Sequence, residues 1–211
     1  MPAPDLAALE AAGRALLPGL PADTVTVWTT RPAAALLFVS LNPVEHQRRQ
    51  RAHAKPLTNR NALSLLMGLP HARVPLGSLT DREETLLPFV PHGAATVDFG
   101  HITRLAVKPL TVHLAVVPPQ APRRAINRAS QYGPFCARAM LLTRPSRDEL
   151  LLYEADWWGI GVAVATGGQP VVLRRPKPWV PKRHTPAHWA FTERIYQQYL
   201  SAQTSPALDA A

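Results

Sequence analysis

Cysteine is nearly missing from this chain. Cys136 stands alone, which excludes an intrachain disulfide and any zinc site built on several thiolates. Long apolar runs are missing too: no stretch approaches the roughly 18 residues that a spanning helix needs. The start, MPAPDLAALEAAGRALLPGL, has neither a basic lead nor a continuous apolar run, so no export or membrane partner is expected. The expected compartment is the cytoplasm, and association with a bacterial nucleoid would fit it. Acidic residues are scarce, with 14 Asp+Glu against 23 Lys+Arg and a formal charge of +9. Such a surface attracts polyanions, nucleic acid above all. A GC-rich coding bias would raise Arg, Ala and Pro together, and 23 prolines fit it, so the position of the charge is the better guide.

What is present describes an ordered globular protein of one domain or two small ones: 211 residues, 46% hydrophobic and 18% charged. Residues 111–211 hold twelve basic and six acidic side chains, and so carry two-thirds of the positive excess. Residues 1–57 read as a helix with Leu6, Leu9, Ala12, Leu16 and Leu17 on one face, a hairpin of TVTVW and AALLFVSL, and an exposed basic linker, EHQRRQRAHAK, at 45–55.

Residues 58–109 form a small unit. TNRNALSLLMGLP is a short helix, and SLTDREETLLPFV opens with a capping box of Thr80 and Glu83. Two strands, Ala94–Asp98 and His101–Leu105, then flank a turn at Gly100. Two helices and a closing hairpin resemble a winged-helix module. That resemblance implies a helix for the major groove, yet this one opens with Asp81, Glu83 and Glu84, which would repel phosphate.

From 110 to 200 the order is strand (LTVHLAVV), helix from Arg123 to about Phe135, strand (ARAMLLT), a helix capped by Ser146, and a hairpin turned by Gly167-Gly168. In the second helix Leu150, Leu151, Ala155 and Trp158 are expected to face inward. Thr185 caps and Pro186 opens a last helix, and a disordered tail is expected over 201–211. The fold class expected is α/β, α+β overall, with a mixed-sheet layered domain after the small module.

The run RAINRASQYGPFCARAMLLTRPSRDELLLYEADWWGIGVAVATGGQPVVLRRP, within residues 112–176, resembles the second half of restriction-endonuclease-like domains of the PD-(D/E)xK superfamily. That resemblance implies DNA as partner and Mg²⁺ or Mn²⁺ held by an Asp and a Glu on neighbouring strands, with a Lys two residues after the Glu. Here Val116, Val117 and Pro118 fill that place, and no lysine lies between Lys108 and Lys177.

Other acids do not replace the motif. Glu154 and Asp156 are two apart on a helix, roughly 200° around from each other. Asp98 sits beside a turn. His184 and His188 have a zinc-compatible spacing but no third ligand, and Cys136 reads as core.

No catalytic residue, metal ligand or cofactor is therefore expected. The expected function is non-catalytic binding of DNA, or else RNA, in repair, recombination, replication, transcriptional control or mobile-element biology. The binding residues would come from two acid-free basic runs: Arg123, Arg124, Arg128 and Arg138, then Arg174, Arg175, Lys177, Trp179, Lys182 and Arg183, with Trp179 as a stacking platform. The two runs are expected to meet in one groove. Two alternatives stay open. One is a Mg²⁺- or Mn²⁺-dependent nuclease with displaced acids, and the other is a protein-binding scaffold using surfaces around Trp157, Trp158 and Trp189. A homodimer is compatible with all three.

Overall fold

The computed structural model describes residues 5–146, 148–181 and 183–204. In chain order its elements are α1 (Leu6–Leu16), β1 (Val25–Thr29), β2 (Ala35–Leu41), α2 (Pro43–Arg51), α3 (Arg60–Gly68), β3 (Arg73–Pro75), α4 (Asp81–Glu84), β4 (Ala95–Asp98), β5 (His101–Arg104), β6 (Leu110–Val117), α5 (Pro122–Ser130), β7 (Ala137–Leu142), α6 (Glu149–Trp157), β8 (Ile160–Val164), β9 (Val171–Arg174) and α7 (Pro186–Thr204). The fold is α+β. The described residues divide into two compact units that interleave along the chain: one joins the residues up to Ser40 with those from Val112 up to the residue before Arg183, and the other joins Leu41–Thr111 with those from Arg183 on. The boundaries expected at 57 and 109 are thus not those of the units, because the N-terminal helix and hairpin share a core with the later α/β segment.

In the first unit a six-stranded sheet runs β1-β2-β6-β7-β8-β9. The β6–β7 and β7–β8 pairs are parallel, and the pairs at both edges are antiparallel. Alternation sorts the side chains. Leu114 and Val116 of β6, Ala137, Ala139 and Leu141 of β7, and Ala163 of β8 share a core with Leu9, Ala12 and Leu16 of α1. The alternate residues, including Ala115, Val117, Met140 and Val162, face the other side and are equally buried. There α5 buries Ala125, Ile126 and Ala129, and α6 buries Leu151 and Ala155. Three layers result, which explains why β8 reads as an uninterrupted apolar run, buried at all five positions.

Several local expectations are corrected. α5 ends at Ser130, short of Phe135, because Tyr132 turns inward to donate to the Ala33 carbonyl and Pro134 has no N–H to continue the helix. The β8–β9 turn is longer than two residues, and of its two glycines only Gly167 has a positive φ, +74°. Asp148, not Ser146, occupies the α6 N-cap position, and the Ser146 hydroxyl accepts from the Asp148 N–H instead. On α6, Leu150 and Trp158 face outward rather than into the core.

The second unit holds a three-stranded sheet, β3-β5-β4, and four helices. The linker expected at 45–55 is mostly helix. Asn42 caps α2 through the Glu45 N–H, and Pro43 stands in its first turn. EHQRRQRAHAK, in which alanine is the only apolar residue type, folds inward because its charges pair. Glu45 and Arg49 are buried, 2.6 Å apart, and Arg49 grips the buried Glu193 of α7 through both terminal nitrogens at 2.7 Å. Glu193 also accepts from the Leu57 N–H and the Trp189 indole, each at 2.8 Å.

The Thr80–Glu83 capping box forms as expected, but α4 runs only four residues before a 3-10 turn at Leu87–Phe89. The unit therefore has no long helix ahead of its hairpin to enter a major groove. Thr185 caps α7 through the His188 N–H at 3.1 Å, and α7 continues through Ser201 to Thr204. The rest of the expected tail lies outside the described residues.

Candidate nucleic-acid interface

β6 and β7 end side by side, and the chain leaves them in two loops. Gln120–Pro122 leads into α5, and Thr143–Asp148 leads into α6. Between these loops lies a cleft of about 990 Å³, lined by Gln120, Pro122, Thr143, Arg144, Ser146 and Asp148 among others. The carboxyl ends of adjacent parallel strands are where open α/β sheets place ligands, because the helices that follow start there.

The cleft is polar, and both signs of charge line it, Arg144 and Asp148. The side-chain amide of Gln120 is buried at both its nitrogen and its oxygen, and neither atom has a hydrogen-bond partner among the described residues. The N-cap of α5 is Ala121, which offers no side-chain acceptor to the first turn. The Arg123 and Arg124 side chains are exposed on that turn, and Arg144 stands on the opposite wall. Arg128, one turn on, is half-buried. Packing of Ala125, Ile126 and Ala129 on the sheet fixes which way these arginines point.

The expected second half of the interface goes elsewhere. Trp179 lies on the α1 face of the sheet, packed against that core, and its indole donates to the Gly133 carbonyl at 3.0 Å. Arg175 reaches the last carbonyls of α1, those of Ala15 and Leu16, at 3.4 Å. Arg174 is exposed on the edge strand β9, and the stem of Lys177 packs over Gly159. The two basic runs therefore do not form one groove: the α5 arginines stand on one face of the sheet, while Arg175 and Trp179 belong to the other. Arg138 is half-buried and donates to the Trp158 carbonyl, with burial lowering its pKa. Arg183 is exposed in the second unit, and Lys182 lies outside the described residues.

Around Val116, where the expected resemblance would place metal ligands, the described residues form apolar core. Val116 and Val117 are wholly buried, and Val116 packs with α1. Among the described residues no three His, Cys, Asp or Glu side chains lie close enough together to hold a metal ion. His184 and His188 instead direct their Nδ1 atoms at the Lys108 ammonium, at 3.3 and 3.0 Å. Burial, then the charge of Arg104, lowers the pKa of Lys108. Cys136 is buried in the sheet, and burial pushes its thiol pKa up, away from nucleophilic use.

No protein-family model, curated protein or solved structure matches the chain. No described helix is long and apolar enough to cross a membrane. The reading of the site therefore rests on its own geometry. Gln120, Thr143 and Ser146 were missed as site residues because no motif marks them. The available signal was topological: two parallel strands, each followed by a helix, create a cleft at their carboxyl ends whatever the loops contain.

Proposed function

We propose that this protein binds nucleic acid, DNA in the first place, without cutting it. The observation that carries this reading is the cleft at the ends of β6 and β7, with Arg123 and Arg124 on the uncapped start of α5 and Arg144 on the opposite wall. A backbone phosphate seated there meets free N–H groups, guanidinium charge and the unpaired Gln120 amide. The net charge of +9 supports approach by a polyanion. The strand, helix, strand, helix, hairpin order of the first unit supports a restriction-endonuclease-like frame whose metal-bearing strand end is now apolar. The β3-β5-β4 sheet after α3 supports a winged-helix-like ancestry for the second unit, in a form with no reading helix.

The test is fluorescence anisotropy with labelled single-stranded DNA, duplex DNA and RNA over a salt series. Binding should weaken with salt. Arg123→Glu/Arg124→Glu/Arg144→Glu should lose most of it, with the slope of log affinity against log salt falling by about 0.7–0.9 per phosphate contact removed. Tighter binding of RNA than of DNA would reassign the partner. No binding at low salt, or binding unchanged in the triple variant, would sink the reading. Nicking that needs Mg²⁺ or Mn²⁺, stops with chelator and survives purification would replace it with the displaced-acid nuclease.

A further inference from the structure

The outer layer of the first unit carries two unlike stripes side by side. On α6, Leu150 is 77% exposed, Tyr153 67% and Trp157 80%, while Leu151 and Ala155 on the other side are buried. Positions i, i+3 and i+7 share one helix face, so α6 has a second apolar face, directed away from the sheet. Glu154 and Asp156 flank it, both exposed, and no basic residue falls between 148 and 157. The helix α5 touches α6 and is its opposite in charge, with Arg123 and Arg124 exposed and no acid between 122 and 130.

The acids repel phosphate, so neither nucleic acid nor an anionic lipid surface suits the α6 face. A positively charged protein surface does, and the chain itself supplies one. We propose that the α6 face docks on α5 of a second copy, across a twofold axis that runs between the two helices. Each α6 then lies on the partner's α5, and the same contact is made twice. Arginines of one copy stack on Trp157 and Tyr153 of the other and pair with its Glu154 and Asp156. At 150–250 Å² per aromatic side chain, the exposed parts of Tyr153 and Trp157 supply roughly 300 Å² of the ~800 Å² per partner that a stable interface covers. Leu150, Trp158 and the outer face of α5 add to it. Trp189 takes no part in any such surface, being 1% exposed.

Sedimentation velocity of the full chain over a concentration series tests this. The parent should form a dimer that weakens as salt is raised, and Tyr153→Ala/Trp157→Ala should weaken it by more than tenfold. Glu154→Arg and Arg124→Glu should each weaken it, and the two together should restore it, which a variant that merely misfolds cannot do. A parent that stays monomeric, a dimer untouched by Tyr153→Ala/Trp157→Ala, or charge reversals that fail to compensate would each overturn the proposal. Because Tyr153 and Trp157 are not in the cleft, Tyr153→Ala/Trp157→Ala should bind nucleic acid at least as tightly as the parent, which separates this result from failure of the binding function.

Discussion

Glu193 is the side chain on which the second unit most depends, and Glu193→Gln is the sharpest perturbation of it. All four of its partners are N–H donors: two nitrogens of Arg49, the Leu57 amide and the Trp189 indole. A carboxylate meets them with four lone pairs. An amide of the same shape offers one acceptor oxygen and turns N–H toward N–H on the other side, while removing the charge that balances buried Arg49. Breaking a buried pair in this way costs about 3–5 kcal/mol. For a protein of this size that corresponds to a fall in melting temperature of roughly 6–20 °C. Urea unfolding followed by tryptophan fluorescence and circular dichroism reads the change. The control is Glu10→Gln, whose partner Arg14 and whose own carboxylate are both about half exposed, and which should cost less than ~1 kcal/mol. A Glu193→Gln protein within about 1 kcal/mol of the parent would refute the claim that this network, rather than the apolar core around it, fixes α2 against α7.

Acid should destabilise the protein in two steps. Burial lowers the pKa of His113, so the folded state resists protonation; stability is complete above the ordinary value of 6.5 and is lost as pH falls toward the depressed folded value. Burial alone would raise Glu45, but hydrogen bonds and charge from Arg48 and Arg49 overcome it and hold the carboxyl below 4.5; its contribution is present above 4.5 and lost as pH falls through the lower folded value. The urea midpoint should therefore decline from just below neutrality and again in strong acid, and His113→Gln should remove only the first decline. A flat midpoint between pH 7 and 5 in the parent would contradict the burial argument for His113. Gly13→Ala should destabilise by about 1–3 kcal/mol although alanine favours a helix, because its Cβ would overlap the ring of wholly buried Phe38. Adding Phe38→Leu should recover part of the loss in thermal melts, and Gly13→Ala alone being neutral would show that the ring yields.

Local pattern made most elements of the first unit legible. Leu9, Ala12 and Leu16 kept the helical period, the buried strands read as apolar runs, and Pro122 marked the start of a helix. What failed were judgements that need a partner distant in sequence. EHQRRQRAHAK looks like a solvated linker because its compensation, Glu193, lies more than 140 residues away, and hydropathy cannot price a charge whose counter-charge is elsewhere. Trp179 looks like a stacking platform among basic residues, but its indole finds the Gly133 carbonyl and its ring the α1 side of the sheet. The reverse error concerns Trp158, which the period placed inside and the end of α6 leaves half exposed. In the candidate site, Arg123 and Arg124 were visible as charge, whereas Gln120 and Ser146 became members only when parallel pairing of β6 and β7 brought their loops together.

The two proposals draw on one set of side chains. Arg123 and Arg124 are exposed in the first turn of α5, next to the cleft-lining Pro122, and also belong to the α5 face that a partner's α6 would cover. A guanidinium stacked on Trp157 and paired with Glu154 of a second copy is unavailable to a phosphate, so nucleic acid and dimerisation compete for the same residues. Linkage makes that competition reciprocal: whatever factor the dimer takes from nucleic-acid affinity, nucleic acid takes from the dimer. The acids on α6 then act as an internal mimic of the polyanion, holding the arginine stripe covered until a longer run of phosphates displaces them. On this view Glu154 and Asp156 serve the same surface as the aromatic face of α6, which gives that mimic an apolar grip that phosphate lacks.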